Sequence, residues 1–151
     1  MVCLGDSNEK EKEPWEVIRD ENDELIDEFS EFLREVRDLA ERTVESHAFN
    51  LTMLNRYLAG YEPSTRFEEA TSGDIGFFMR DWYIRKTGAD SETMYRMPVS
   101  LKKFFAFLSS EKGVDVPLEE IEEEINSGRE LFEDRLREWW NPELTDGWWT
   151  A

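Results

Sequence analysis

The chain has 151 residues, a net charge of −18 and a single cysteine. That length suits one ordinary domain with a buried core, and a lone Cys3 excludes an intramolecular disulfide and fits a reducing compartment. No run approaches the roughly 18 apolar residues of a membrane span, and the opening MVCLGDSNEKEKEP lacks a basic segment followed by an apolar one. The expectation is a soluble, cytoplasmic protein with no membrane association.

Residues 1–14 are polar and charge-dense and are expected to be disordered. Residues 15–113 read as one helical domain. From Trp15 to Glu41, Ile18, Leu25, Ile26, Phe29, Phe32, Leu33, Val36 and Leu39 recur at helical spacing, so the first helix is amphipathic. Thr43 is the expected N-cap of a second helix to about Ala59, with Val44, Ala48, Leu51, Leu54 and Leu58 as its buried stripe. Gly60 stops it and Pro63 prevents an immediate restart. Thr71 followed by Asp74 resembles a capping box and opens a third helix with Ile75, Phe78, Met79 and Trp82 inside.

The fourth helical stretch, SETMYRMPVSLKKFFAF, is capped by Ser91 and ends near Gly113. Met94, Met97, Leu101, Phe104, Phe105 and Leu108 form its apolar face. If it runs as one helix, Thr93, Arg96, Ser100 and Lys103 share a neighbouring stripe, basic and hydroxyl-bearing, suited to DNA phosphates. Pro98 requires either a kink or two pieces. Residues 114–151 form an acidic C-terminal helix, expected to break at Gly128, and a tail with two Trp pairs, Trp139-Trp140 and Trp148-Trp149. No strand has convincing alternation, and the chain reads as all-α.

Charge is uneven along the chain. Residues 1–36 carry −9, 37–78 carry −3, 79–113 carry +3 and 114–151 carry −9. The basic island consists of Arg80, Arg85, Lys86, Arg96, Lys102, Lys103 and Lys112. Six Lys against twelve Arg, with 36 acidic residues, suits a halophilic, salt-loaded cytoplasm in which self-repulsion is screened.

The order of LIDEFSEFL, TVESHAFNLTMLNRYL, EATSGDIGFFMRDWY and SETMYRMPVSLKKFFAFL resembles the N-terminal core-binding domain of tyrosine recombinases and phage integrases. The resemblance rests on the Thr-initiated second helix closing on Tyr57-Leu58, the Thr71-x-x-Asp74-Ile75 turn, and Ser100-Leu101-x-x-Phe104-Phe105-x-Phe107-Leu108. It implies a four-helix, SAM-like orthogonal bundle, here with an additional C-terminal helix and an acidic N-terminus. It also implies that double-stranded DNA is the partner, with Thr43, His47 and Asn50 of the second helix and Thr93, Arg96, Ser100 and Lys103 of the fourth facing the groove. A recombinase needs an Arg, a Lys, a His-x-x-Arg box and a Tyr nucleophile in its catalytic domain. The residues after Gly113 hold no His, Lys or Tyr, and His47 is followed by Ala-Phe-Asn, so the chain is expected to be non-catalytic.

Other signals are weaker. His47, the sole histidine, is not paired into a metal or catalytic set and reads as a surface or capping side chain. The Glu119–Glu124 run lacks the spacing and glycine of a calcium loop and reads as a solvated helix face. No cofactor is implied. The Trp pairs admit two readings: packing of the last helix and tail on the bundle, or a contact surface for a recombinase or other protein. The second belongs to a competing function, a protein-interaction module that has kept the fold and lost DNA binding, its acidic ends mimicking DNA toward a basic partner.

Overall fold

The computed structural model describes residues 11–140. Helix α1 spans Pro14–Glu35, α2 Glu41–Gly60, and a 3-10 turn Phe67–Glu69 leads to α3. Helix α3 runs through Ser72–Phe77, a π-helical segment Phe78–Trp82, and Tyr83–Lys86. Helix α4 is Ser91–Tyr95, α5 Met97–Ser110 and α6 Leu118–Trp140. No strand occurs among the described residues, and the fold is an all-helical bundle.

Pro14 occupies the first turn of α1, where a missing N–H costs nothing, and the Glu16 carboxylate accepts from the Glu13 amide. The helix buries Leu25, Ile26, Phe29 and Leu33 and ends at Glu35, six residues before its expected end. Asp38 adopts a left-handed φ of 51°, and the Leu39 amide reaches back to the Leu33 carbonyl, so the chain reverses there. Helix α2 returns antiparallel. Asn22 meets Asn55 at one end of the pair, and Arg34 meets Glu41 at the other.

Ala40, not Thr43, occupies the N-cap of α2, and Thr43 lies inside its first turn. The capping box at Thr71 and Asp74 forms as expected, each bonding the other's backbone amide at 3.2 and 3.0 Å. Asp90, not Ser91, caps α4, accepting from the Thr93 amide at 2.8 Å. The fourth helical stretch is two pieces. The chain breaks at Arg96, and Pro98 is the second residue of α5, where it disrupts no α-helical hydrogen bond. Gly113, at φ +65°, lets the chain leave the helix, with the Val114 amide bonded to the Leu108 carbonyl.

Phe29, Phe67, Phe104 and Phe107 form the ring cluster at the centre of the core, with Phe67 edge-on to Phe104 at 4.7 Å. Helix α6 adds Ile121, Ile125, Phe132 and Leu136 to that core and packs against α3, α4 and α5. It runs unbroken through Gly128, contrary to the expected break. A Cβ there would find only Met79 Cε at 3.8 Å, so the site carries glycine's propensity cost without a bend. Trp139 and Trp140 end α6 partly exposed, while Trp148 and Trp149 lie outside the described residues. Among the described residues, no helix is long and apolar enough to cross a membrane.

Candidate nucleic-acid interface

The seven residues expected to face a groove separate into a buried set and a surface set. His47, Asn50, Thr93 and Ser100 are buried, with Asn50 and Ser100 fully enclosed. Thr43 and Arg96 are half-buried and Lys103 is exposed.

The buried four belong to one hydrogen-bonded network joining α2 to α3, α4 and α5. The Ser46 hydroxyl donates to Thr93 Oγ1 at 2.9 Å. The Asn50 amide nitrogen donates to the Thr93 carbonyl and to Ser100 Oγ, both at 3.0 Å. The Tyr83 phenol donates to Asn50 Oδ1 at 2.5 Å, and His47 Nδ1 lies 2.6 Å from Ser100 Oγ. Every polar atom of the Asn50 side chain is therefore committed inside the protein. The expectation that these four side chains face a DNA groove is corrected by their burial. Their polar atoms are spent on the bundle, and withdrawing them would leave buried partners unpaired.

Burial sets the protonation of this network. His47 is held down to about 4, first by desolvation and then by the positive charges of Arg96 and Lys103. Burial, reinforced by the Asp90 carboxylate, pushes the Tyr83 phenol well up, keeping it a donor to Asn50. The core of the site is thus neutral at physiological pH.

The charged part lies over it. Thr43, Tyr95, Arg96 and Lys103, with His47 at the floor, line an open depression of about 430 Å³. Arg96 Nη1 is enclosed without a hydrogen-bond partner, and neither Arg96 nor Lys103 has a carboxylate within ion-pair distance among the described residues. Arg37, just beyond α1, shares an adjoining depression with Lys103 and lies over the Phe32 ring at 5.4 Å. It too has no carboxylate partner among the described residues. Its helix phase gave no hint of this, because Arg37 follows the end of α1 and only the chain reversal at Asp38 brings it near α5.

Four other members of the basic island are occupied. Arg80 pairs with Glu124 and Arg85 with Asp81, each at 2.7 Å, while Lys112 pairs with Glu28. Lys102 donates to Asn126 at 3.0 Å. Arg42 reaches Glu92 at 3.3 Å from a largely exposed position. Of the seven, Arg96, Lys103 and Lys86 have no such partner among the described residues, and Arg96 and Lys103 line one depression, joined from outside the island by Arg37. Among the described residues, no three His, Cys, Asp or Glu side chains gather as a metal-binding group.

Residues 26–112, more than half of the chain, match the family model described as phage integrase, N-terminal SAM-like domain. Comparison with curated proteins and with solved structures found no match for the chain. On the matched span, which runs from α1 to just past α5, the chain belongs to the phage integrase N-terminal SAM-like domain family.

Proposed function

We propose that this chain binds double-stranded DNA through the surface around Thr43, Arg96 and Lys103, extended by Arg37, and acts in or regulates DNA recombination or integration in the cytoplasm without catalysing strand cleavage itself. One observation carries the reading. In a chain of net charge −18, three cations without carboxylate partners lie along one face, while most neighbouring basic side chains are neutralised. Unpaired guanidinium and ammonium groups are what phosphate oxygens neutralise.

In this reading the buried residues support rather than contact. Ser100 accepts from Asn50 and bonds the Arg96 carbonyl at 3.2 Å, so the network holds the break between α4 and α5 from which Arg96 projects. The Thr43 hydroxyl and the three basic side chains Arg37, Arg96 and Lys103 contact the phosphate backbone, which positions the protein without reading sequence.

The test is duplex binding by the full chain and by an Arg96→Glu/Lys103→Glu double variant. Affinity should fall by at least about tenfold with unchanged circular dichroism, since two phosphate contacts become repulsions. Equal binding by the two proteins contradicts the assignment. Deleting residues 114–151 is not a usable test of partner capture, because it removes Phe132, Ile121, Ile125 and Leu136 from the core.

A further inference from the structure

The opposite end of α2 carries a different surface. Tyr57 lies fourteen residues beyond Thr43 on the same helix, about 21 Å along its axis. Around it the aromatic side chains are not all buried. Tyr61 is 51% exposed, Phe77 46% and Trp15 42%. Tyr57 packs at 5.9 Å against both Tyr61 and Phe77, the latter nearly parallel at 19°. Beneath them Phe78 and Trp82 complete the cluster, and the Trp82 indole N–H donates to the Tyr61 hydroxyl at 2.9 Å. Tyr61 and Trp15 also line one cleft between the start of α1 and the end of α2. Tyr61 and Phe77 are thus held by Tyr57 over Phe78 and Trp82 as a preorganised π surface, and Trp15 lines the cleft beside Tyr61.

Carboxylates surround this surface. Glu13 and Glu62 line the cleft with Trp15 and Tyr61, and the charges of Asp74 and Asp81 are felt at the Tyr57 phenol, whose pKa is raised chiefly by burial. Glu62 has no ion-pair partner among the described residues. The molecule itself shows which group such a surface accepts. Arg19 lies over the Trp15 ring at 5.1 Å, and Arg85 pairs with Asp81, next in sequence to Trp82. Aromatic faces rimmed by carboxylates favour a planar guanidinium, which stacks and pairs at once, over a compact, strongly hydrated ammonium.

We infer that the face formed by Trp15, Tyr57, Tyr61 and Phe77 docks an arginine-bearing segment of a partner protein, at the end of the bundle remote from the Arg96–Lys103 surface. The domain then has two poles along α2, a cationic one for an anionic ligand and an acidic, aromatic one for a cationic chain. Aromatic side chains meeting arginine supply much of the affinity at protein contacts, whereas exposed carboxylates chiefly select and steer.

The experiment titrates the full chain with a short peptide alternating arginine and glycine, and with its lysine counterpart, following indole N–H resonances and binding heat. The arginine peptide should bind about tenfold more tightly than the lysine peptide. A Tyr61→Ser/Phe77→Ser variant, altered only at exposed rings, should lose that preference while retaining its helical spectrum. The Arg96→Glu/Lys103→Glu variant should bind the arginine peptide undiminished, so failure at the DNA surface and failure here are distinguishable. Equal affinity for the two peptides, or an unaffected Ser/Ser variant, would mean that bulk negative charge alone attracts them and would overturn the inference. Concentration-dependent self-association abolished by the same Ser/Ser variant, with no peptide binding, would assign the face to a second copy and overturn it as well.

Discussion

His47 Nδ1 lies 2.6 Å from the Ser100 hydroxyl oxygen, tying α2 to α5 beneath Arg96 and Lys103. That bond makes the interior of the site polar but uncharged, and it places a titratable ring where a proton is unwelcome. The surface above remains the place where charge is displayed.

The first consequence is a pH dependence. His47 is lowered from 6.5 to about 4 in the folded protein, so between these values the unfolded chain binds more protons than the folded one. Stability contributed by the neutral ring is complete above 6.5 and drains away as pH falls towards 4. Wild type should therefore lose melting temperature across that window, and His47→Gln, which cannot titrate, should show a flatter profile there. Parallel profiles for the two proteins would remove His47 as the cause. The paired carboxylates Asp20, Glu41 and Asp81 are all lowered, so their losses fall below their ordinary values and largely outside this window.

Asn50 should be among the most sensitive polar positions. Replacing it with Ala removes bonds to Thr93, Ser100 and Tyr83 and leaves a buried phenol without its acceptor. The expected cost is about 2–4 kcal/mol, read from urea unfolding with an unchanged m-value. Adding Tyr83→Phe to Asn50→Ala should recover part of that loss, because the orphaned hydroxyl goes with it. No recovery would argue that the phenol is not dependent on Asn50.

Gly76 lies beneath the Arg80–Glu124 pair that joins α3 to α6. A Cβ there would stand 2.3 Å from Glu124 Oε2 and 2.7 Å from Arg80 Nη1, so alanine must displace the Arg80–Glu124 pair. Both contacting atoms end flexible, partly exposed side chains, and the pair itself is worth little. Alanine's helical advantage of about 1 kcal/mol then competes with the displacement. Gly76→Ala should be near neutral or mildly destabilising alone, and stabilising by about 0.5–1 kcal/mol when made in a Glu124→Ala background. Thermal unfolding of the four proteins in that cycle checks it, and identical effects in both backgrounds would refute the steric account.

Much of the bundle is legible from residue patterns. The apolar spacing of α1, α2 and α5, the box at Thr71 and Asp74, and the interruption near Pro98 each have a local physical cause, and each is seen in the fold. The site is less legible. Placing Thr93, Arg96, Ser100 and Lys103 on one stripe assumes a helix of constant phase, but the chain breaks at Arg96, so residues before and after it no longer share one projection. Burial of Ser100 and Asn50 also depends on complementary partners from other helices, which no periodicity reveals. Arg37 joins the cationic face only through the reversal at Asp38, and two island members, Arg80 and Lys112, are neutralised by carboxylates distant in sequence, Glu124 and Glu28.

The central claim concerns phosphate contacts by Arg37, Arg96 and Lys103, and the salt dependence of duplex binding tests it most directly. Three such contacts predict that the logarithm of the association constant falls with the logarithm of salt at a slope of about −2.7. Neutralising Arg96 and Lys103 with Gln should lower the magnitude of that slope by about 1.8, with the helical spectrum intact. A slope unchanged by these substitutions, or no duplex binding by the folded wild-type chain at any salt concentration, would contradict the account.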